Sequence, residues 1–156
     1  MRRHCLAVLA LVALFAGARS QAGDGDANEE AVAKDLQAFR GSWRLSFKEV
    51  DGKKFSDEEI KDVIATADGE GRVLVRRGDK VIGGGTVKLG PTKRPKAIEI
   101  TFTAGERKGK TAVGIYEIQS DAFRVCLART GDERPGEFSA RAGSGRTLIV
   151  YKREKK

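Results

Sequence analysis

The sequence predicts an all-β protein: about eight antiparallel strands at the spacing of a barrel or sandwich, with a short N-terminal helix and a short helix between the first two strands. Three observations carry this expectation. From Gly41 onward apolar and polar side chains alternate in short runs, the pattern of a sheet with one buried and one wet face. Glycine, aspartate, serine and proline separate the runs at regular spacing. The connections are too short to carry parallel crossovers.

The elements follow in chain order. Gly23 to Asn28 reads as a polar, glycine-rich linker. Val32, Leu36 and Phe39 then recur at helical spacing, with Glu29 and Glu30 near the start, where the helix dipole favours acids. This predicts a short amphipathic helix within 23–40. In the first strand Trp43, Leu45 and Phe47 fall on one side and Arg44, Ser46 and Lys48 on the other, and Asp51-Gly52 turns the chain. Ser56 to Glu59 has the form of a capping box, in which serine and glutamate each satisfy a free amide at a helix start. A strand resumes near Val63 to Ala67, and Asp68-Gly69 separates it from Arg72 to Arg77. Gly78-Asp79 is a tight hairpin signal leading to Lys80–Leu89. Gly83, Gly84 and Gly85 inside that strand mark a barrel corner; a phosphate-cradling loop would need a following helix and a Lys-Ser/Thr pair. After a proline-containing loop come strands at Ala97–Thr103, Thr111–Gln119 and Ala122–Arg129. A long polar loop, Thr130 to Ser144, precedes the last strand, Gly145–Arg153, and 154–156 form a basic tail.

The first 22 residues have the parts of a secretory signal: Arg2 and Arg3, an apolar run from Leu6 to Phe15, then small residues with cleavage after Ala18 or Ala22. That run is about 10 residues, against about 20 for a membrane-spanning helix, so the expectation is export to a periplasmic or extracellular location with no transmembrane segment in the mature protein. Cys5 precedes the apolar run, which disfavours lipid attachment there. Removing residues 1–22 takes away three arginines and no acid, lowering the formal charge from +8 to +5. The terminal Lys152 to Lys156 segment carries much of the remainder. A mild excess spread among acids is not the concentrated basic stripe that a phosphate backbone needs, so no nucleic-acid partner is expected. Only Cys126 remains after cleavage, so no intrachain disulfide is available, and its apolar strand marks it as a packed thiol.

Gly41-Ser42-Trp43, after a helical segment and at the start of the first strand, resembles the lipocalin-type Gly-x-Trp signature. In lipocalins a basic residue of the last strand covers the tryptophan; the counterparts here are Lys152 and Arg153. A closer resemblance runs along nearly the whole mature chain. Val50-Asp51-Gly52-Lys53, Glu58-Glu59-Ile60-Lys61, Pro95-Lys96-Ala97-Ile98, Gly109-Lys110, Gly114-Ile115-Tyr116-Glu117, Val125-Cys126-Leu127, Arg134-Pro135-x-Glu137-Phe138 and Gly143-Ser144-Gly145 together resemble the lipocalin-like domain family abundant in planctomycete exported proteins. The resemblance implies an antiparallel up-and-down lipocalin-like barrel of about eight strands over 41–153 and an exported protein, and implies no activity. The chain departs from the family pattern at Ala65-Thr66-Ala67, which replaces a more hydrophobic strand.

His4, in the leader, is the chain's one histidine. The mature protein therefore lacks the usual general base, the Ser-His and Cys-His nucleophile systems and most zinc or copper sites, and no enzyme activity, cofactor or metal is expected. Glu58 and Glu59, Asp57 and Asp62, and Asp132 and Glu133 are close in sequence, but all read as solvated loop or helix-surface charge. The candidate ligand-binding residues are Trp43, Phe47, Tyr116, Glu117 and Phe123. Alternation puts Glu117 with Val113 and Ile115, and Tyr116 with Gly114 and Ile118. Both sides are apolar enough to face inward. If Glu117 does, it must be paired with an arginine or serve as a polar anchor for a ligand.

Two functional expectations follow. One is a binding module whose barrel mouth takes a small apolar or amphipathic ligand, with the Ser56 helix as a lid. The other is a non-catalytic structural domain, its interior filled by Trp43, Leu45, Phe47, Ile98, Ile100, Phe102, Phe123, Val125 and Leu127, contacting an envelope component through its surface. The basic loops Lys93, Arg94, Lys96 and Arg107, Lys108, Lys110 read as solubilising or as facing an anionic envelope partner.

Overall fold

The computed structural model describes residues 24–155. The leader assigned to residues 1–22 lies outside them. Two helices and nine strands follow in order: α1 (Asp24–Phe39), β1 (Gly41–Val50), β2 (Lys53–Lys54), α2 (Asp57–Ile60), β3 (Val63–Ala67), β4 (Arg72–Arg77), β5 (Lys80–Gly90), β6 (Ala97–Ala104), β7 (Thr111–Ile118), β8 (Ala122–Leu127) and β9 (Thr147–Arg153). Every pairing is antiparallel, and β1 pairs with both β3 and β9, which closes eight strands into a barrel. The ninth, β2, is a two-residue return from β1. Closure leaves only this short free edge, which is how up-and-down barrels remove exposed strand edges.

The anticipated strands lie where alternation placed them, within a few residues at the ends. The helix does not. α1 begins at Asp24, inside the stretch read as a linker. One face of α1 buries Asp35 and Phe39 and half-buries Val32 and Leu36, and it packs against β5 and β7. Gly41 ends it at φ 125°, and a side chain there would meet the Arg153 guanidinium at 3.0 Å. Both facts call for glycine.

Three register shifts shape the barrel. In β1 the pairing to β9 runs Leu45 to Tyr151 and then Phe47 to Val150, leaving Ser46 as an extra residue. In β5 the shifts fall around Ile82 and between Gly84 and Gly85. A Cβ on Gly85 would sit 2.7 Å from the Thr101 carbonyl oxygen, so the close approach at this bend is reserved for glycine. At the β1–β2 turn Asp51 and Gly52 both take positive φ, 49° and 82°, as two-residue hairpins with a primed turn require.

Strand direction puts α1, the β3–β4 turn and the β8 start at one end of the barrel, and α2, the β4–β5 hairpin and the β6–β7 loop at the other. The core cluster has Trp43, Leu45, Tyr116 and Phe123 toward the α1 end and reaches Ile60, Val63 and Phe102 toward the other. Segment 128–146, expected as a polar loop, is packed down instead. Pro135 is fully buried, Arg134 donates to the Ile98 and Gly114 carbonyls, and the Cys126 thiol donates to the Ser139 carbonyl. This loop covers the outer face of β7 and β8, which is why Ile115 and Cys126, outside the main core cluster, are nonetheless buried.

Candidate ligand-binding site

The Gly-x-Trp segment forms the floor. Trp43 is 0% exposed and donates from Nε1 to the Phe39 carbonyl at 2.8 Å. Its neighbour across the β1–β3 pairing is Ala65, and Ala67 is buried in the same strand, so the small residues of β3 make room for the indole. Phe123 packs against Phe39, Trp43 and Tyr151 with ring centroids 4.6, 6.1 and 6.2 Å apart. The Arg153 guanidinium lies 4.0 Å from the Trp43 ring centroid. Of the two basic candidates for this cover, Arg153 holds the position and Lys152 is exposed on the outer side.

Above this floor the interior is not filled. A cavity of about 1110 Å³ opens toward the α2 end, at the upper limit of the roughly 300–1,000 Å³ common for small-molecule sites. Its deep wall is apolar, with Val73, Val75, Ile98, Ile100, Val125 and Ile149. Phe55 and Ile60 bring the α2 segment onto the mouth. Here the capping box is complete: Ser56 accepts from the Glu59 amide, and the Glu59 carboxylate accepts from the Ser56 amide at 2.8 Å. The Glu59 carboxyl is held below its ordinary range chiefly by that backbone bond.

Of the five candidate residues, Trp43 and Phe123 line the cavity; Phe47, Tyr116 and Glu117 do not. Phe47 is displaced by the Ser46 bulge. The extra residue reverses inside and outside, so Lys48 and Val50 face the cavity and Phe47 turns to the outer side. Tyr116 is interior but lies below the cavity, 1% exposed, where its hydroxyl donates to Asp35 Oδ2 of α1 at 2.7 Å. Lys96 Nζ donates to the same oxygen at 2.7 Å. Burial, with the Asp35 bond and charge added, pushes the Tyr116 phenol far above its ordinary range. The trio docks the helix on the barrel and leaves Tyr116 no role in the cavity. Glu117 points outward and pairs with Arg124 at 2.5 Å and Gln119 at 3.1 Å, bonds that lower its pKa.

Sequence alternation missed Lys48, Tyr151 and Asp35. Asp35 was visible as a polar residue within the Val32, Leu36, Phe39 stripe. The other two depend on the bulge and on which face of β9 the barrel encloses. Lys48 Nζ lies 4.4 Å from the Phe55 ring centroid and the Arg107 guanidinium 3.9 Å from that of Phe102. Burial lowers the pKa of both cations, and for Lys48 the charge of Arg107 adds to the effect. The Tyr151 phenol is pushed up to about 12 by burial.

Comparison with models of known protein families, with curated proteins and with solved structures finds no match. Among the described residues no three His, Cys, Asp or Glu side chains group as metal ligands, and no helix is long and apolar enough to cross a membrane.

Proposed function

We propose that this chain is an exported, non-enzymatic, lipocalin-like binding module that carries a small apolar or amphipathic ligand in its barrel. The single observation behind this reading is the cavity: about 1110 Å³, apolar in its depth and open at one end of a closed barrel. A structural domain with a filled interior, the other expectation from sequence, would leave no such space. The Gly41, Trp43 and Arg153 arrangement supports membership of the lipocalin-like family named above, and the Arg2 to Ala22 leader pattern supports export.

The test is titration of the purified protein with Nile red, an uncharged apolar dye, alongside a Val75→Trp variant that fills the cavity wall. Saturable one-to-one emission enhancement, lost in a variant that retains its unfolding midpoint, is the expected result. Absence of saturable binding, together with native mass spectra of bare protein from its own host, would overturn the proposal.

A further inference from the structure

Resting on the binding-module reading, we infer that the ligand is an amphipathic anion, an unbranched apolar chain ending in a carboxylate or phosphate, whose head group sits between Lys48 and Arg107 beside the Tyr151 hydroxyl. Six basic side chains line the cavity and its rim against three acidic ones. Two of the acids are already engaged: Glu59 in its capping box, and Asp51 as acceptor from the Gly145 amide at 2.7 Å. Glu106 is the third, on the β6–β7 loop beside Arg107.

Lys48 and Arg107 are the informative pair. Among the described residues neither forms an ion pair, although Arg44, Arg72, Lys96, Arg124, Arg141 and Arg146 all do. Each instead rests on an aromatic ring, Phe55 and Phe102, at the cavity wall. A cation drawn partly out of water without a carboxylate is costly, and a ring face returns only part of its lost hydration. The Tyr151 hydroxyl likewise makes no hydrogen bond within the described residues while facing the cavity. An anionic head group would complete all three at once: two charge-assisted donors and one phenolic donor converging on one acceptor. The β1 bulge is what makes this arrangement, because without Ser46 as an extra residue Lys48 would lie outside the barrel. Below the head group, the Val73, Val75, Ile100 and Ile149 wall suits an alkyl chain.

The experiment is displacement of bound Nile red by decanoate, decyl phosphate and decanol, all below their aggregation limits. Two charge-assisted bonds predict that at least one anion displaces the dye at concentrations about tenfold or more below decanol. Whichever anion is tighter identifies the head group. Lys48→Met and Arg107→Met, which keep an apolar stem and remove the charge, are each expected to bring the ratio of decanol to anion displacement concentrations most of the way to one; Lys48→Arg retains the preference. Equal potency of anions and decanol, or an undiminished preference in both methionine variants, overturns the inference and leaves the binding module standing. Failure of Nile red to bind at all overturns the module reading itself.

Discussion

Replacing Arg153 tests how one side chain closes the barrel floor. Its guanidinium donates Nε to the Ser120 carbonyl at 2.8 Å, Nη1 to Arg40 at 2.9 Å and Nη2 to Ala38 at 2.7 Å, while its plane covers Trp43 at 4.0 Å. Two of these carbonyls belong to the end of α1, whose last turn contains no basic residue of its own, so Arg153 supplies from β9 the positive charge that a helix C-terminus favours. Three partly exposed hydrogen bonds at about 1 kcal/mol each, with about 1 kcal/mol for the ring contact, place the cost of Arg153→Ala at about 3–4 kcal/mol. Lysine lacks the planar fork and can keep one bond with part of the ring contact, so Arg153→Lys should lose about half as much. Urea unfolding of the variants, with a Trp43→Phe double-mutant cycle, measures both. A loss below about 1 kcal/mol for Arg153→Ala, or a lysine variant equal to the parent, would refute the reasoning, since charge alone would then account for the residue.

Three further outcomes follow from buried polar groups. The chain contains two tyrosines, Tyr116 and Tyr151, both with raised pKa values, the second at about 12. The folded protein should show no tyrosinate absorbance at pH 10, where the unfolded chain is half ionised; because the folded state holds these protons more tightly, their stabilisation is complete below about pH 10 and is lost as pH rises toward 12. Early titration of either phenol in the folded state would contradict the burial assigned to it. Tyr116→Phe should cost about 1.5–3 kcal/mol by removing a charge-assisted bond to Asp35, and the cost should shrink in an Asp35→Asn background, as a thermal-denaturation cycle would reveal. Cys126 is fully buried, and burial raises its thiol pKa, so it should resist a thiol-specific disulfide reagent until the protein unfolds; labelling at the rate of a free thiol would mean that segment 128–146 does not cover β8.

The sequence by itself determined the antiparallel strands, most of their limits and the Ser56 capping box. These are local matters, since alternation, turn chemistry and capping are written in residues a few positions apart. The tertiary structure alone decided what faces the cavity. Ser46 becomes an extra residue only through its register against β9, and that one-residue shift exchanged Phe47 for Lys48 inside the barrel. Along β7 both faces are apolar because 128–146 covers the outer one, so alternation had no contrast from which to separate Tyr116 from Glu117. The docking of α1 likewise depended on distant partners, with Asp35 held by Tyr116 and Lys96. A side-chain period of two reports that neighbours oppose each other, whereas which of them looks inward is set by pairing and covering across the fold.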